Sequence, residues 1–462
     1  MRRVRAALLM LSGCALLACG EPASPEPEHE GLRGALAGQD CVVILLDALR
    51  ADRLGCYGAE PSPSPALDAL AARGVRMASA MSQASWTLPS TTSLFTGLYQ
   101  ETHGLYFGVG VEPLKLVDSA VTLAELFHEA GYATHMFTQN SFASDVYGLE
   151  QGFDEHQLVN YYAEDGDVVA QRVAELLAAP SARPRFVYVH LRRPHTPYDP
   201  PAEFLPEGVA PHDARKHPEA GTDAAIGAHN SGKRRFTPET HAQHAALYRA
   251  NIRATDSHLA PLLEQLRGSD TLVVVLSDHG EAFGEHGRYG HNWLSYQEYV
   301  HIPWLMAHPA LPAGRVVEEP VMTVDVLPTL AELFALDVGG LPLQGASLVA
   351  LLDGGPAPRR AAVFSSSRVA GNGRQQLTAF DGRHKLLRQL PGGAEQLFDL
   401  AQDPGESSDV SAAEPELAAR LSALLSDWVG GQRASFASES GELSAEALEN
   451  LARLGYLGDD DG

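Results

Sequence analysis

Short apolar runs alternate with helical patterns through most of the chain. The runs are rich in Val, Leu and Ile without polar alternation, which predicts strands buried on both faces, as in a parallel sheet. They lie at Cys41–Leu46, 186–191 and 271–276. Apolar residues with helical spacing lie at 66–73, 123–130, 168–178 and 241–267. This alternation predicts an α/β fold with a doubly wound, mostly parallel sheet flanked by helices.

Two later stretches depart from this pattern. Residues 200–240 are rich in Pro, Gly, His and Lys and show no period, which predicts a long surface excursion that could cover a site. After residue 341, short strand-like pieces are separated by Gly-rich turns, and residues 413–429 then form an amphipathic helical pattern. We expect a small C-terminal antiparallel sheet with a helix packed on it.

The N-terminus has the pattern of an export signal. Three arginines precede an apolar run from Ala6 to Ala18, which is too short to span a bilayer. The end of the run resembles a bacterial lipoprotein signal in which Cys19 becomes the acylated first residue. Cys14 is the alternative acylation site, and a plain cleaved signal is the alternative reading. We therefore expect an exported cell-envelope lipoprotein, held at a membrane surface by the lipid on Cys19.

Composition excludes several classes of protein. Hydrophobic residues make up 45% of the chain and charged residues 20%, so disorder over most of its length is excluded. The formal charge is −24, and protonating all 19 histidines would still leave −24 + 19 = −5, so nucleic acid is not an expected partner. Only Cys41 and Cys56 follow the N-terminal segment, and we expect small buried side chains rather than a disulfide.

Acidic residues follow two of the predicted strands. Asp47 comes directly after the first run, and Asp278 and His279 come just after the run at 271–276. Because ligands bind at the carboxyl ends of parallel strands, these side chains are expected at one edge of the sheet. A single Asp there is more often a helix cap, but two carboxylates and an imidazole form a set that suits Zn²⁺, Mn²⁺, Mg²⁺ or Ca²⁺.

Residues 85–97 predict a short helix that begins near Thr87. Pro89 suits the first turn, small hydroxyl residues follow, and Gly97 suits the end. The Thr87 hydroxyl would then lie at the positive end of the helix dipole, which favours an alkoxide or a bound oxyanion. A plain capping hydroxyl is the alternative. With a metal ion to lower its pKa, Thr87 could act as a nucleophile.

Histidines complete the candidate chemistry. His195 lies in a Pro-rich loop directly after the run at 186–191, where a rigid backbone can hold an imidazole in place. It could donate to a substrate oxyanion or protonate a leaving group. His279, His286 and His291 lie close together among glycines, which packing alone does not readily explain.

These segments together resemble the sulfatase family of the alkaline phosphatase superfamily. The resemblance covers nearly the whole chain after the N-terminal segment, in the family's order. It includes the first metal-binding segment, the nucleophile signature, the substrate-histidine segment, the second metal-binding segment, a helix and the C-terminal subdomain. In the same order, these six segments are residues 45–58, 85–97, 194–198, 277–281, 323–330 and 397–406. The resemblance implies an alkaline phosphatase-like fold and a hydrolase of sulfate or phosphate esters.

Four positions depart from the family's pattern, one of them being His279, where many members of the family have Asn. Thr87 stands where the family has the Cys or Ser that matures to formylglycine, Thr91 stands where an Arg is usual, and Ala48 replaces the second of two paired acids. A secondary alcohol cannot become the aldehyde, so no formylglycine is expected. The remaining set is similar to the single-metal site of phosphodiesterases and phosphoglycol or phosphoethanolamine transferases. That set is Asp47, Thr87, Asp278 and His279.

The resemblance therefore implies a metal-dependent hydrolase with an unmodified nucleophile. Thr87 would attack a sulfate or phosphate ester, with a divalent Zn, Mn or Ca ion as cofactor, and His195 and His291 would stabilise or protonate the leaving group. The substrate would be a small-molecule, glycan or lipid ester. A transferase acting on envelope lipids or glycans, and a non-catalytic surface binding protein, are the alternatives. We also expect Arg50 and Asp52 to pair and brace the Asp47 turn.

These interpretations divide the chain into five parts. They are a signal peptide at 1–19, an acidic Pro-rich linker at 20–38, a catalytic domain at 39–340, a C-terminal subdomain at 341–430 and a tail at 431–462.

Overall fold

The fold is seen in a computed structural model. It describes residues 31–106, 114–207, 222–291, 293–368, 373–432 and 439–440. The predicted signal peptide, both candidate acylation cysteines, most of the linker and most of the C-terminal tail lie outside these residues. Within the described ranges, every helix is too short or too polar to cross a membrane.

An eight-stranded sheet forms the centre of the molecule. In chain order its strands are β1 (Cys41–Leu46), β2 (Val75–Met77), β3 (Ala133–Thr138), β4 (Glu155–Leu158), β5 (Arg185–Leu191), β6 (Leu272–Leu276), β7 (Trp304–Ala307) and β8 (Arg315–Val317). Their order across the sheet is β8-β2-β7-β6-β1-β5-β3-β4. The five strands from β6 to β4 run parallel, and β7 pairs antiparallel with both β6 and β2. This confirms the predicted mostly parallel sheet.

The three apolar runs form the buried middle of this sheet. β6, β1 and β5 are neighbours, and every residue in them is buried. Alternate residues of β1 enter different cores, with Val43 on one face and Val42 on the other. Each such aliphatic side chain contributes about 1.5–3 kcal/mol by its burial. Burial on both faces explains why these strands show no polar alternation.

Helices cover both faces of the sheet. The longer ones are α1 (Pro65–Ala72), α2 (Thr87–Thr96), α3 (Leu123–Glu129), α4 (Gly166–Ala178), α5 (Asp223–Asn230), α6 (Pro238–Gln265), α7 (Val326–Phe334) and α8 (Pro415–Gly431). Helices α2, α3 and α7 pack on one face, and α1, α4 and α6 pack on the other. The doubly wound arrangement predicted from the sequence is confirmed.

The remaining elements are short. The four-residue helices are Gln100–His103, Gln297–Val300 and Val349–Leu352. The 3₁₀ turns are Ala51–Arg53, Gly55–Tyr57, Ser141–Ala143, Asp145–Tyr147, Ala202–Phe204, Glu285–Gly287 and Thr323–Asp325. The short strands are Ala80–Met81, Leu114–Lys115, Ala282–Phe283, Tyr289–Gly290, His301–Ile302, Val321–Met322 and Glu439–Ser440.

The predicted surface excursion at 200–240 is wrong in part. Helix α5 lies within it, and α6 begins inside it, while residues 208–221 lie outside the described residues. Among the side chains of α5 that the structure describes, Ala225 and Ile226 are buried, and the helix contains Gly227, so its apolar pattern is too weak to reveal a helix. Ile226 packs close to Gly290, so α5 lies beside the loop that carries His291.

The C-terminal subdomain has the predicted form. Its antiparallel strands are β9 (Val363–Arg368), β10 (Gln375–Phe380), β11 (His384–Leu390) and β12 (Ala394–Asp399). Helix α8 packs on this sheet through Leu421 and Leu425, which are fully buried.

At the other end of the described chain, Leu32 and Leu36 are buried in the main core, although they lie within the predicted linker at 20–38. Cys41 and Cys56 are free cysteines, as expected, and Cys41 is buried, whereas Cys56 is only partly buried.

A buried ion pair within the C-terminal subdomain contacts the catalytic domain. Lys385 in β11 and Glu406 are both fully buried, with Nζ and Oε1 2.9 Å apart. The other carboxylate oxygen of Glu406 accepts a hydrogen bond from the backbone of Gln297 (2.5 Å). Burial lowers the pKa of Lys385 and raises the pKa of Glu406, and their mutual attraction opposes both shifts. Each group therefore depends on the other to remain charged inside the protein.

We predict that Lys385→Met destabilises the fold by about 3–5 kcal/mol, because it leaves the Glu406 carboxylate buried without a cation. Urea titration followed by circular dichroism measures this change. The double variant Lys385→Met/Glu406→Gln should recover part of the loss. Arg420→Ala is the matched control, since it removes a half-exposed ion pair with Asp381 and should cost about 0–1 kcal/mol. Equal losses in the two single variants would contradict this account.

Candidate active site

The two predicted acids meet at the carboxyl end of the sheet. Asp47 directly follows β1 and Asp278 follows β6, and both are almost completely buried. One oxygen of Asp278, Oδ1, accepts hydrogen bonds from the backbone N–H groups of Ala48 (3.1 Å) and His279 (2.9 Å). Its other oxygen, and Oδ1 of Asp47, have no hydrogen-bond partner among the described residues. Each carboxylate thus keeps one oxygen available for a ligand.

His279 presents a lone pair to these oxygens. Its Nδ1 donates to the carbonyl oxygen of Gly280 (2.9 Å), so Nε2 is the acceptor nitrogen of the neutral ring. Nε2 lies 3.4 Å from Asp278 Oδ2 and 3.7 Å from Asp47 Oδ1. A hydrogen bond from the opposite nitrogen is the usual way in which a protein orients a metal-binding histidine.

Thr87 joins the same cluster. It is the first residue of α2 and is almost fully buried, and its Oγ1 lies 3.3 Å from His279 Nε2. Gly97 ends the helix in the left-handed conformation (φ 66°), as its place in the sequence suggested. Ser90 of this helix donates to the carbonyl oxygen of Asp278 (2.6 Å), which ties the helix to the second acid. All four residues of the predicted metal set are therefore brought together.

Sequence analysis missed Asn140, which contacts two members of this set. Its Nδ2 donates to Asp47 Oδ2 (2.5 Å) and lies 3.4 Å from Thr87 Oγ1. Its Oδ1 accepts from the backbone N–H of Phe142 (2.9 Å), which fixes the orientation of the amide. Asn140 follows β3, and recognition of that strand would have placed it at this edge of the sheet.

Sequence analysis also gave no role to His190. This residue lies inside β5 and is fully buried. Its Nε2 lies 3.5 Å from Asp47 Oδ2, and its Nδ1 lies 3.1 Å from the hydroxyl of Tyr188. The sequence signal was present, since a polar residue stood near the end of an otherwise apolar strand.

The other two predicted histidines lie beside this cluster. The ring centroid of His291 is 4.4 Å from that of His279 and 4.7 Å from that of His195. His291 Nδ1 donates to Glu281 Oε1 (3.2 Å), and His195 Nδ1 donates to the carbonyl oxygen of Thr196 (2.6 Å). The site thus contains three neighbouring imidazoles.

Burial and neighbouring charges shift the pKa values of His195 and Asp47. Burial lowers the pKa of His195 well below its ordinary value, and the Asp47 carboxylate offsets this only in part. Burial alone would raise the pKa of Asp47, but the imidazoles of His195, His190 and His279 hold it well below its usual range. His195 therefore gives up its proton more readily than a free imidazole, and the Asp47 carboxyl group gives up its proton more readily than a free carboxyl group.

Arg50 braces the two loops that carry the acids. It forms a two-point ion pair with Asp52, with both contacts at 2.8 Å, which confirms the predicted pair. Its Nη1 also donates to Glu285 Oε1 (2.7 Å) and to the carbonyl oxygen of Glu281 (3.0 Å). The same guanidinium thus joins the loop after β1 to the loop that carries His279 and His291.

The residues present fit a divalent cation. Asp47, Asp278 and His190 each offer one ligand atom, and these atoms lie within 4.8 Å of one another. His279 adds a second nitrogen against the same two carboxylates. Buried carboxylate oxygens without hydrogen-bond partners are costly unless a cation or a proton satisfies them. The donor set of oxygen and imidazole nitrogen suits Zn²⁺ or Mn²⁺.

Comparisons with known proteins agree with this fold. The family model of the sulfatases matches residues 39–336, and the chain belongs to the sulfatase family. It is 24% identical to an arylsulfatase of Clostridium perfringens, over 81% of this chain and 90% of that protein. It is 25% identical to an ulvan-active sulfatase of Formosa agariphila, over 90% of this chain and 81% of that protein.

A solved structure shows the same fold. The phosphonate monoester hydrolase of Agrobacterium radiobacter superposes with a TM-score of 0.69 at 23% identity, covering 88% of this chain and 98% of that one. The predicted alkaline phosphatase-like architecture is confirmed. The chain is thus a member of a family of ester hydrolases, and sulfuric ester hydrolysis is the activity named among its relatives.

We predict that Gly280→Ala disrupts the site. A Cβ at Gly280 would lie 2.1 Å from the carbonyl oxygen of Glu298, so the loop holding His279 must shift, at a cost of about 1–3 kcal/mol. The midpoint temperature of thermal unfolding should decrease. The amount of bound zinc, measured by mass spectrometry, should decrease as well. Gly227→Ala is the matched control, because a Cβ there meets no neighbour within 4 Å. Unchanged zinc content in Gly280→Ala would show that this loop does not position the ligands.

Proposed function

We propose that this protein hydrolyses a sulfate or phosphate ester with Thr87 as a metal-activated nucleophile. The observation that carries the proposal is the position of Thr87 Oγ1. It lies at the start of α2, 3.3 Å from His279 Nε2 and beside two carboxylates that each have an unpaired oxygen. A divalent cation held by Asp47, Asp278, His279 and Thr87 would lower the pKa of the hydroxyl and polarise the ester.

The protein residues supply positioning and proton transfer. Asn140 Nδ2 lies within reach of Thr87 Oγ1 and can hold it toward the ester. As Oγ1 bonds to sulfur or phosphorus, its proton passes to solvent, the ester bond to the alcohol breaks, and the alcohol oxygen takes a proton from His291. The product of this step is an ester of Thr87 and a free alcohol.

His291 and His195 suit different steps. The Glu281 carboxylate next to His291 Nδ1 stabilises a protonated ring, so His291 is suited to protonate the leaving alcohol. His195 is neutral and its Nε2 has no hydrogen-bond partner among the described residues, so it is suited to accept a proton from water. The water oxygen then bonds to sulfur or phosphorus while His195 takes a proton from it, the bond to Oγ1 breaks, and Oγ1 takes that proton back from His195. His291 regains its proton from solvent. The net reaction converts ester and water into alcohol and inorganic sulfate or phosphate.

We also propose an envelope location and a glycan or lipid ester as substrate. The arginine-rich N-terminus, its apolar run and Cys19 support export and lipidation. A relative named for its action on ulvan supports a glycan ester. If an acceptor alcohol replaced water in the second step, the same residues would catalyse group transfer.

We predict that Thr87→Val lowers turnover at least about 10³-fold while the fold remains intact, because valine has the shape of threonine without a nucleophile. Initial rates on the best aryl ester measure the loss, and circular dichroism checks the fold. Thr92→Val is the matched control, since Thr92 lies in the same helix and its hydroxyl only donates to the carbonyl oxygen of Leu88. Retained turnover in Thr87→Val would refute the nucleophile assignment.

The ester class is tested by assaying p-nitrophenyl sulfate, p-nitrophenyl phosphate and bis(p-nitrophenyl) phosphate side by side. We expect turnover of at least one ester in protein produced without a formylglycine-generating enzyme, loss of turnover on chelation, and recovery with Zn²⁺ or Mn²⁺. Co-production of that enzyme should change nothing. No turnover of any ester by zinc-loaded protein would favour the non-catalytic alternative.

A further inference from the structure

Hydrophobic packing alone does not explain a buried histidine at residue 190. An imidazole inside a fully buried strand normally satisfies both nitrogens with hydrogen bonds. In His190 the Nδ1 faces the Tyr188 hydroxyl, but Nε2 has no hydrogen-bond partner among the described residues. That nitrogen lies 3.5 Å from Asp47 Oδ2, at the edge of the carboxylate cluster.

Other polar atoms without hydrogen-bond partners among the described residues lie near His190 Nε2. Besides His190 Nε2, the described residues of this cluster leave Asp47 Oδ1 and Asp278 Oδ2 without hydrogen-bond partners. Asp47, Asp278 and His190 are also the residues whose ligand atoms lie within 4.8 Å of one another. Two carboxylate oxygens and an imidazole nitrogen, all buried and all unpaired, form a site for a cation rather than a hydrogen-bond network.

Ala48 has no side-chain group that can bind a metal ion, which leaves a coordination position for the His190 imidazole. At the position where the resemblance places a second acid, Ala48 has a left-handed backbone (φ 58°), and its N–H donates to Asp278 Oδ1. His190 approaches the same carboxylates from the neighbouring strand, since it is the register partner of Leu45 in β1. An imidazole from β5 can therefore take the coordination position that a side chain at residue 48 cannot fill.

We propose that His190 is a direct ligand of the metal ion and sets its identity. The inference rests on the proposed function, which places the ion between Asp47, Asp278 and His279. With His190 the protein supplies two carboxylates and two imidazoles, and Thr87 Oγ1 adds a further oxygen. A donor set with two nitrogens favours Zn²⁺ over Ca²⁺ or Mg²⁺, which prefer oxygen ligands.

The Tyr188 hydroxyl supports this assignment. At 3.1 Å it can accept the proton of His190 Nδ1, which leaves the lone pair on Nε2 directed at the carboxylates. Such a partner for the opposite nitrogen typically changes metal affinity 10–100-fold when it is removed. Tyr188 is therefore a positioning residue for His190.

The test compares full-length purified variants. Zinc and calcium affinities are measured by chelator competition, and the Co²⁺-substituted proteins are examined by visible absorption, which reports the ligands directly. His190→Gln keeps a polar side chain of similar length near Asp47 but loses the imidazole. We expect it to weaken Zn²⁺ binding at least about 100-fold, to leave Ca²⁺ binding nearly unchanged and to alter the Co²⁺ spectrum. Tyr188→Phe should weaken Zn²⁺ binding about 10-fold or more with the ligands unchanged.

His135→Gln is the matched control, because His135 lies in neighbouring β3 and contacts the exposed Glu155 instead of the cluster. It should bind Zn²⁺ like the wild type. A folded His190→Gln protein with wild-type zinc affinity and Co²⁺ spectrum overturns the inference but leaves the proposed function standing. If His190→Gln does not fold, unchanged zinc affinity in Tyr188→Phe overturns it. If the wild type takes up no Zn²⁺, Mn²⁺ or Co²⁺, the proposed function fails as well.

Discussion

The burial of two carboxylates at one end of the sheet is the constraint on which the site depends. Removing an ionised carboxylate from water costs several kcal/mol even after the protein relaxes, so each charge needs nearby compensation. The amide of Asn140, the backbone N–H of Ala48 and the surrounding imidazoles supply part of it. One oxygen of each carboxylate remains unpaired among the described residues. A bound divalent cation would compensate these two oxygens.

The fold explains how residues far apart in sequence form this cluster. The parallel strands β6, β1, β5 and β3 are neighbours, so Asp278, Asp47, His190 and Asn140 reach the same edge. The N-terminus of α2 meets that edge, and Ser90 ties the helix to the carbonyl of Asp278. Arg50 then holds the loops after β1 and β6 to each other. Packing on both faces of the sheet therefore fixes the geometry of the chemistry.

The sequence predicted those parts of the site that follow strong apolar runs. Asp47, Asp278 and His279 come after strands that are apolar throughout, and Thr87 begins a helix marked by Pro89 and Gly97. Asn140 was missed because β3 contains threonine and histidine and does not stand out as a buried strand. His190 was missed because a polar residue within an apolar strand does not reveal which residues of the neighbouring strands it contacts. Helix α5 was missed because most of its surface is polar or small.

The departures from the family pattern compensate one another electrostatically. Against the sulfatase pattern, Ala48 removes a negative charge and Thr91 removes a positive one, so the two changes leave the net charge of the site unchanged. Both charged groups are replaced by neutral residues, and neutral nitrogen groups from Asn140 and His190 lie in the same cluster. A site with fewer fixed charges depends more on a cation to stabilise charge that develops on the ester. If the proposed function holds, a cation held by Asp47 and Asp278 would supply the positive charge that an Arg at residue 91 would otherwise bring.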